Sequence, residues 1–367
     1  MREPFPVRPP LVGIIANPIS ARDIRRVIAN ANSLQLADRV NIVLRLLAAL
    51  TAGGVDRVLM MPDREGLRVM LHRHLSRAQG PDAALAAVDY LDMPVTGSVD
   101  DTLRAAHMMR EAGVAAIVVL GGDGTHRAVV RECGEVPIVG ISTGTNNAFP
   151  EMREPTITGL ATGLFASGRI PASHALASNK RLDVTIREPN GAVRRDIALV
   201  DAVISREQYI GARAVWKTDT LAAVYVSYAS PQAIGLSAIA GLLEPVDRFE
   251  PGGLAIELGS PGHCAFELTA PIAPGLMRPV PIACWQRLEH AVPRRVQQHT
   301  GIVALDGERE LAFGQHDEVF VTLYENAFLS IDVAACMRYA ADAQLMRSGA
   351  GTRLPVPGFC TSTTTQT

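Results

Sequence analysis

Ala115-Ala116-Ile117-Val118-Val119-Leu120-Gly121-Gly122-Asp123-Gly124-Thr125 runs an apolar stretch straight into a glycine-rich turn. An apolar run of this length, bounded by turn residues, reads as a buried strand, so the turn stands at a strand's end. Three glycines let the backbone bend so that successive amide N–H groups converge on an anion. Asp123 cannot help that anion by charge. A carboxylate among phosphate-seeking amides makes sense where it holds a divalent metal or takes a proton from an attacking hydroxyl, the two acidic tasks of phosphoryl transfer. The turn therefore points to a kinase. The plain alternative is a tight strand-to-helix connection with Asp123 or Thr125 capping the next helix. The pattern is neither the dinucleotide fingerprint nor the phosphate loop that ends in Lys-Ser/Thr.

On the N-terminal side, short apolar runs alternate with helical patterns, the signature of an α/β unit with a mostly parallel sheet. Strands are expected at Leu11 to Ala16, Arg57 to Met61 and Ala84 to Leu91, and helices at Val40 to Leu50, about Arg64 to Arg77 and about Asp100 to Glu111. The next strand, Pro137 to Ile141, leads into Ser142-Thr143-Gly144-Thr145-Asn146-Asn147-Ala148-Phe149. Ligands of open α/β sheets bind outside the carboxyl ends of strands, so the two turns are expected to face one ligand. This puts Gly121, Gly122, Gly124, Thr125, Thr145, Asn146 and Asn147 around a bound phosphate group. Asn146 and Asn147 also suit simple turn and cap roles. His126 either touches a phosphate or is an exposed first-turn residue.

Beyond a linker near Gly168 to Asn179 the pattern becomes extended: Leu182 to Arg187, Asp196 to Ser205, Leu221 to Tyr228, and further short runs to Glu318 to Tyr324. Asn190-Gly191 between two such runs is a hairpin signal. The expected organisation is an α/β phosphate-binding domain over residues 1–170, an antiparallel β-rich acceptor domain over 180–330, a closing helix within 331–350, and a loose tail over 351–367. Asp201, followed by Arg206 and Tyr209, suits an acceptor pocket or an edge strand. Leu236, Ile239, Leu242 and Leu243 suit the interface of a homo-oligomer or a core.

The chain has 367 residues, 48% of them hydrophobic, and 35 Lys plus Arg against 37 Asp plus Glu. A net charge of -2 gives no general attraction to nucleic acid or to an anionic membrane. No apolar stretch approaches the roughly 20 residues that span a bilayer, and Met1 to Pro10 lacks a signal-peptide core, so a cytoplasmic location is expected. Five scattered cysteines without a Cys-x-x-Cys pair fit neither a disulfide framework nor a zinc knuckle.

The turn at 121–125, Gly144-Thr145-Asn146-Asn147 and Asp306-Gly307-Glu308 together resemble the superfamily of NAD kinases and diacylglycerol kinases. Within it, Ile14-Ile15-Ala16-Asn17-Pro18, the helix through Asn41 to Leu50, Met61-Pro62-Asp63 and Ser142 to Phe149 are most similar to the kinase-like acetoin-catabolism protein X group. The resemblance implies ATP over Gly121, Gly122, Gly124 and Thr125, Asp123 as catalytic acid-base, Mg²⁺ on the phosphates, and an acceptor between the domains. It also implies Asp306 and Glu308 as members of the metal network, although an Asp-Gly turn between strands explains them nearly as well. Where NAD kinases carry an Asn-Glu pair, the best match is Val200-Asp201, and their Thr-Gly-Ser-Thr-Ala-Tyr turn corresponds to Ser230-Pro231-Gln232-Ala233-Ile234-Gly235. These departures weigh against NAD as acceptor, because a valine cannot make the missing hydrogen bonds. The expectation is an ATP-dependent kinase acting on a hydroxyl of NAD or of a metabolite of acetoin or butanediol. A nucleotide sensor without chemistry and a lipid kinase are the alternatives.

Overall fold

Apolar runs and amphipathic helices of the first half assemble into a parallel sheet, sheet A, in the computed structural model. It describes residues 9–17, 35–77, 85–143, 147–207, 218–260 and 262–347, without the side chains of 309 and 310. Strands β1 (Leu11–Ile15), β2 (Arg57–Met60), β3 (Ala87–Tyr90), β4 (Ala116–Gly121) and β5 (Ile138–Ser142) lie in the order β3-β2-β1-β4-β5, all parallel. From β1 the chain steps outward to β2 and β3, then returns to place β4 on the other side of β1. Such a reversal opens a crevice at the carboxyl ends of the two central strands. The glycine-rich turn leaves β4 at that crevice.

Helices α1 (Leu36–Ala52), α2 (Leu67–Arg77), α3 (Val99–Glu111) and α4 (Asp123–Glu132) fill the connections. Helix α5 (Pro155–Ala166) follows β5, its first amides at Thr156 and Ile157 capped by the Glu154 carboxylate. It crosses α1 closely, because Gly159 and Gly163 put no side chain between the backbones. A Cβ at Gly159 would stand 2.9 Å from the Leu46 carbonyl oxygen, and one at Gly163 2.9 Å from that of Leu50.

The second half contributes to two sheets. Strands β6 (Leu176–Arg187), β7 (Val193–Ala198) and β16 (Glu318–Ile331) extend sheet A as β5-β16-β6-β7, with β13 (Arg294–Arg295) also on β16. Ser330 of β16 pairs in parallel with Ile138, while β16 and β6 run antiparallel. Sheet B is antiparallel: β8 (Asp201–Ser205), β9 (Leu221–Val226), β10 (Gly253–Leu258), β11 (Phe266–Ala273), β12 (Leu276–Leu288), β14 (Gly301–Leu305) and β15 (Glu308–Phe313), in the order β11-β12-β10-β9-β8-β14-β15. Leu182, Val184, Val321 and Leu323 of sheet A share one core with Ile204, Val303 and Leu305 of sheet B. Helix α6 (Ala172–Ala175) precedes β6, α7 (Ser237–Leu243) packs on β11, and α8 (Val333–Asp342) closes against α5.

The expected hairpin at Asn190-Gly191 joins β6 to β7, with Gly191 at φ 85° and the Asn190 side-chain oxygen accepting from the Ala192 amide. Two other readings differ. The stretch near 168–179 is not a linker: it holds α6 and the start of β6, whose polar residues become strand because β16 supplies the ladder. Asp196 to Ser205 is two strands rather than one, β7 in sheet A and β8 in sheet B. Leu236 and Ile239 are buried and Leu242 is exposed. Among the described residues no helix is long and apolar enough to cross a membrane. The tail over 351–367 lies outside the described residues.

Candidate functional site

Gly122 is the N-cap of α4, extended at φ -96° and ψ -172°, and it brings no side-chain oxygen to the first-turn amides. An uncapped N-terminus of this kind presents N–H groups and the positive end of the helix dipole to an anion. Gly121 and Gly122 act here by size and not, as the sequence suggests, by backbone freedom, for none of Gly121, Gly122 and Gly124 has a positive φ. A Cβ on Gly121 would fall 2.6 Å from that of Thr125, one on Gly122 2.6 Å from Asn147 Oδ1, and one on Gly124 3.5 Å from Glu308 Oε1. The turn is thus closely wrapped by the side chains of Thr125, Asn147 and Glu308. Asn147 Nδ2 donates to Ser142 Oγ at 2.8 Å. Thr145 and Asn146 lie outside the described residues.

Asp123 is the first residue of α4 and joins the two turns. Its Oδ1 accepts from the Phe149 amide at 2.8 Å, and the Ala148 amide lies 3.2 and 3.0 Å from its two oxygens. His126 is neither exposed nor in contact with solvent: it is fully buried, with Nδ1 2.8 Å from the Gly122 carbonyl and its ring 5.5 Å from that of Phe149.

From the second half come Asp201, Asp306 and Glu308. Asp306 occupies the turn from β14 to β15 at φ 50°. Its Oδ1 accepts from the amides of Leu199, Val200 and Asp201 at 3.0, 2.8 and 3.4 Å, and Arg127 Nε stands 4.0 Å from Oδ2. Burial pushes this carboxyl up; Arg127 and the three amides oppose that. These bonds account for the break between β7 and β8. The amides of Leu199 to Asp201 turn to the carboxylate instead of continuing a ladder, and the chain crosses from one sheet to the other. Arg127 also donates to the Leu305 carbonyl at 3.2 Å, tying α4 to the same turn.

Asp201 is buried at the start of β8, and its carbonyl accepts from the Asp306 amide at 2.9 Å. Arg206 bonds the Leu221 carbonyl, and Tyr209 lies outside the described residues. Asp123, Asp201 and Asp306 line one small cleft with Ile234, Leu236 and Ile272. Its volume is about 20 Å³, space for about one water. No motif in the sequence points to Tyr228, whose buried hydroxyl has no hydrogen-bond partner among the described residues. Burial pushes that phenol up, Arg248 opposes this, and Asp123, Asp306 and Asp201 add to it, so it remains a proton donor beside the carboxylates.

Among the described residues no three His, Cys, Asp or Glu side chains form a group that could hold a metal ion by themselves. Mg²⁺ does not need one, since it commonly uses one or two carboxylates, waters and the substrate's phosphates. Asp123 and Glu308, oxygen donors at the glycine-rich turn, fit that chemistry. Asp306 fits it less well, because its fully buried carboxyl is already enclosed by three main-chain amides and Arg127.

The profile of the ATP-NAD kinase N-terminal domain matches residues 12–170, and that of the acetoin catabolism protein X C-terminal domain matches residues 180–326. Acetoin catabolism protein X of Cupriavidus necator is 78% identical over 339 residues, 92% of this chain and 94% of that protein. Among solved structures, yeast NADH kinase complexed with NADH has a TM-score of 0.50, covering 93% of this chain and 89% of its own at 12% identity, which is a likeness of fold.

Proposed function

Since the chain belongs to the acetoin catabolism protein X family, with a first half of the ATP-NAD kinase type, we propose that it is an ATP-dependent kinase for a hydroxyl of a small polar acceptor, NAD or a metabolite linked to acetoin catabolism. The observation that carries this reading is Asp123, set at the N-terminus of α4 where β4 ends and lining the cleft that Asp201 also lines. The α4 amides, Thr125 and Asn147 would take the donor's phosphates. Bound Mg²⁺ would neutralise the phosphate charge, with Asp123 and Glu308 as the carboxylates to hold it. Asp123 would also receive the acceptor's hydroxyl proton, while the main-chain amides of Ala148 and Phe149 keep the carboxylate aimed. The carboxylates of Asp123, Asp201 and Asp306 beside Ile234, Leu236 and Ile272 give this cleft polar groups suited to an acceptor's hydroxyl. A cytoplasmic location, where ATP is abundant, goes with this reading.

The test is ADP formation from MgATP with acetoin, butane-2,3-diol, NAD and a diacylglycerol, with nucleotide binding followed by calorimetry. Asp123→Asn is expected to lower turnover about 100-fold or more, as loss of a general base does, and to leave nucleotide affinity within about threefold. Unchanged turnover defeats the role given to Asp123. A second reading, a nucleotide sensor, is favoured by the two amides already bonded to Asp123; nucleotide binding by the unaltered protein without turnover on any acceptor would establish it instead.

A further inference from the structure

Arg248 lies between α7 and β10, remote in sequence from the glycine-rich turn, yet it reaches the residue that holds Asp123. Its guanidinium carbon stands 3.9 Å from the Phe149 ring centroid, and its Nη1 donates to the Phe149 carbonyl at 3.0 Å. A cation over an aromatic face joined to a hydrogen bond on the same residue restricts both its ring and its backbone. The Phe149 ring is buried and also meets those of His126 and Phe328, each at 5.5 Å between centroids. On its other side Phe149 gives its amide to Asp123.

Arg248 is itself held. Its Nε donates to Asn179 Oδ1 at 2.8 Å, and the buried Asn179 anchors across β6 and β16 through Nδ2, to the Ala177 carbonyl at 3.1 Å and to Ser330 Oγ at 2.9 Å. The next residue of β6, Lys180, donates to the carbonyls of Asp247, Glu250 and Gly252 at 2.9, 2.7 and 2.8 Å. Consecutive residues of one strand thereby grip the Arg248 loop, one by its side chain and one by its main chain.

We infer that Arg248 is a positioning residue for Asp123: clamped by Asn179 and Lys180, it fixes the Ala148-Phe149 turn whose amides orient the carboxylate. The inference rests on the proposed role of Asp123 in phosphoryl transfer. A displacement of about 1 Å in such a group can cost roughly 100-fold in rate.

Arg248→Gln and Arg248→Lys test it through two readouts, amide hydrogen exchange by NMR and ADP formation with the same acceptors. Arg248→Gln should speed exchange at Ala148 and Phe149 about tenfold or more with α1 and β10 unaffected. It should lower kcat about 10- to 100-fold while KM for ATP stays within about threefold. Arg248→Lys, which keeps a cation over the ring, should recover part of both. Unchanged exchange at the two amides, or faster exchange spread equally over the chain, overturns the inference. If Asp123→Asn abolishes turnover and Arg248→Gln leaves it intact, the inference alone fails; if Asp123→Asn leaves turnover intact, the kinase reading fails first and takes the inference with it.

Discussion

Acid should weaken the fold through one imidazole. His126 Nδ1 faces the Gly122 carbonyl at 2.8 Å, so this nitrogen carries the proton and Nε2 presents its lone pair. Nε2 is buried without a partner among the described residues, against Gly140, where a Cβ would fall 2.5 Å away. An imidazolium would bring a second N–H into that contact with no acceptor for it among the described residues. Burial accordingly pulls the imidazole down from 6.5 to about 4; the Gly122 carbonyl opposes this, and Arg248 adds to it. Well above pH 6.5 the ring is neutral in both folded and unfolded chains and contributes no pH dependence. As pH falls from there toward about 4, the unfolded chain binds a proton that the folded one refuses, and stability is lost. At about 1.36 kcal/mol per pH unit the full loss is about 3 kcal/mol. The assay is urea denaturation followed by circular dichroism, for the native chain and for His126→Gln, from about pH 7 to about pH 4.5. Taking the difference between the two cancels the carboxylates that titrate in the same range. The native chain should lose about 2.5 kcal/mol more than the variant by about pH 4.5. Parallel profiles, differing by less than about 0.5 kcal/mol in slope over that range, would refute a buried neutral imidazole at this position.

Replacing Asp306 by Ala takes the acceptor from the amides of Leu199 and Val200 and the carboxylate from beside the Arg127 guanidinium, and should cost about 3–5 kcal/mol in urea denaturation. A cost below about 1 kcal/mol would show that something other than this carboxylate holds the crossing between sheets. Gly159→Val drives a side chain toward the Leu46 carbonyl and the Ala49 Cβ, each 2.9 Å from the ideal Cβ position. Neither backbone can yield easily, so about 1–3 kcal/mol should be lost by calorimetry with nucleotide affinity unchanged; an unaltered melting temperature counts against the close crossing of α1 and α5.

How far such arrangements are legible depends on how local they are. The strand, turn and helix from Ala116 to Glu132 follow from an apolar run, glycines and helical spacing within a few residues of one another, so Asp123 stands out from the sequence alone. The Asn190-Gly191 hairpin is legible for the same reason, as is the parallel alternation before it. The stretch around Ala198 to Val203 is not, because apolar residues on both sides of Asp201 say that the segment is buried and leave open against which sheet. Its break is decided by Asp306, more than a hundred positions away.

Composition and short-range pattern alone determined the strand-turn-helix with its acidic residue, the parallel first half and the extended second half, since each is encoded by periodicity and turn chemistry over a dozen residues or fewer. Tertiary structure decided the sharing of sheet A between the halves, the engagement of Asp306 by amides, the burial of His126 and the reach of Arg248 to Phe149. Those depend on which distant surfaces meet, and a carboxylate, imidazole or guanidinium takes its role from the partner that long-range packing supplies.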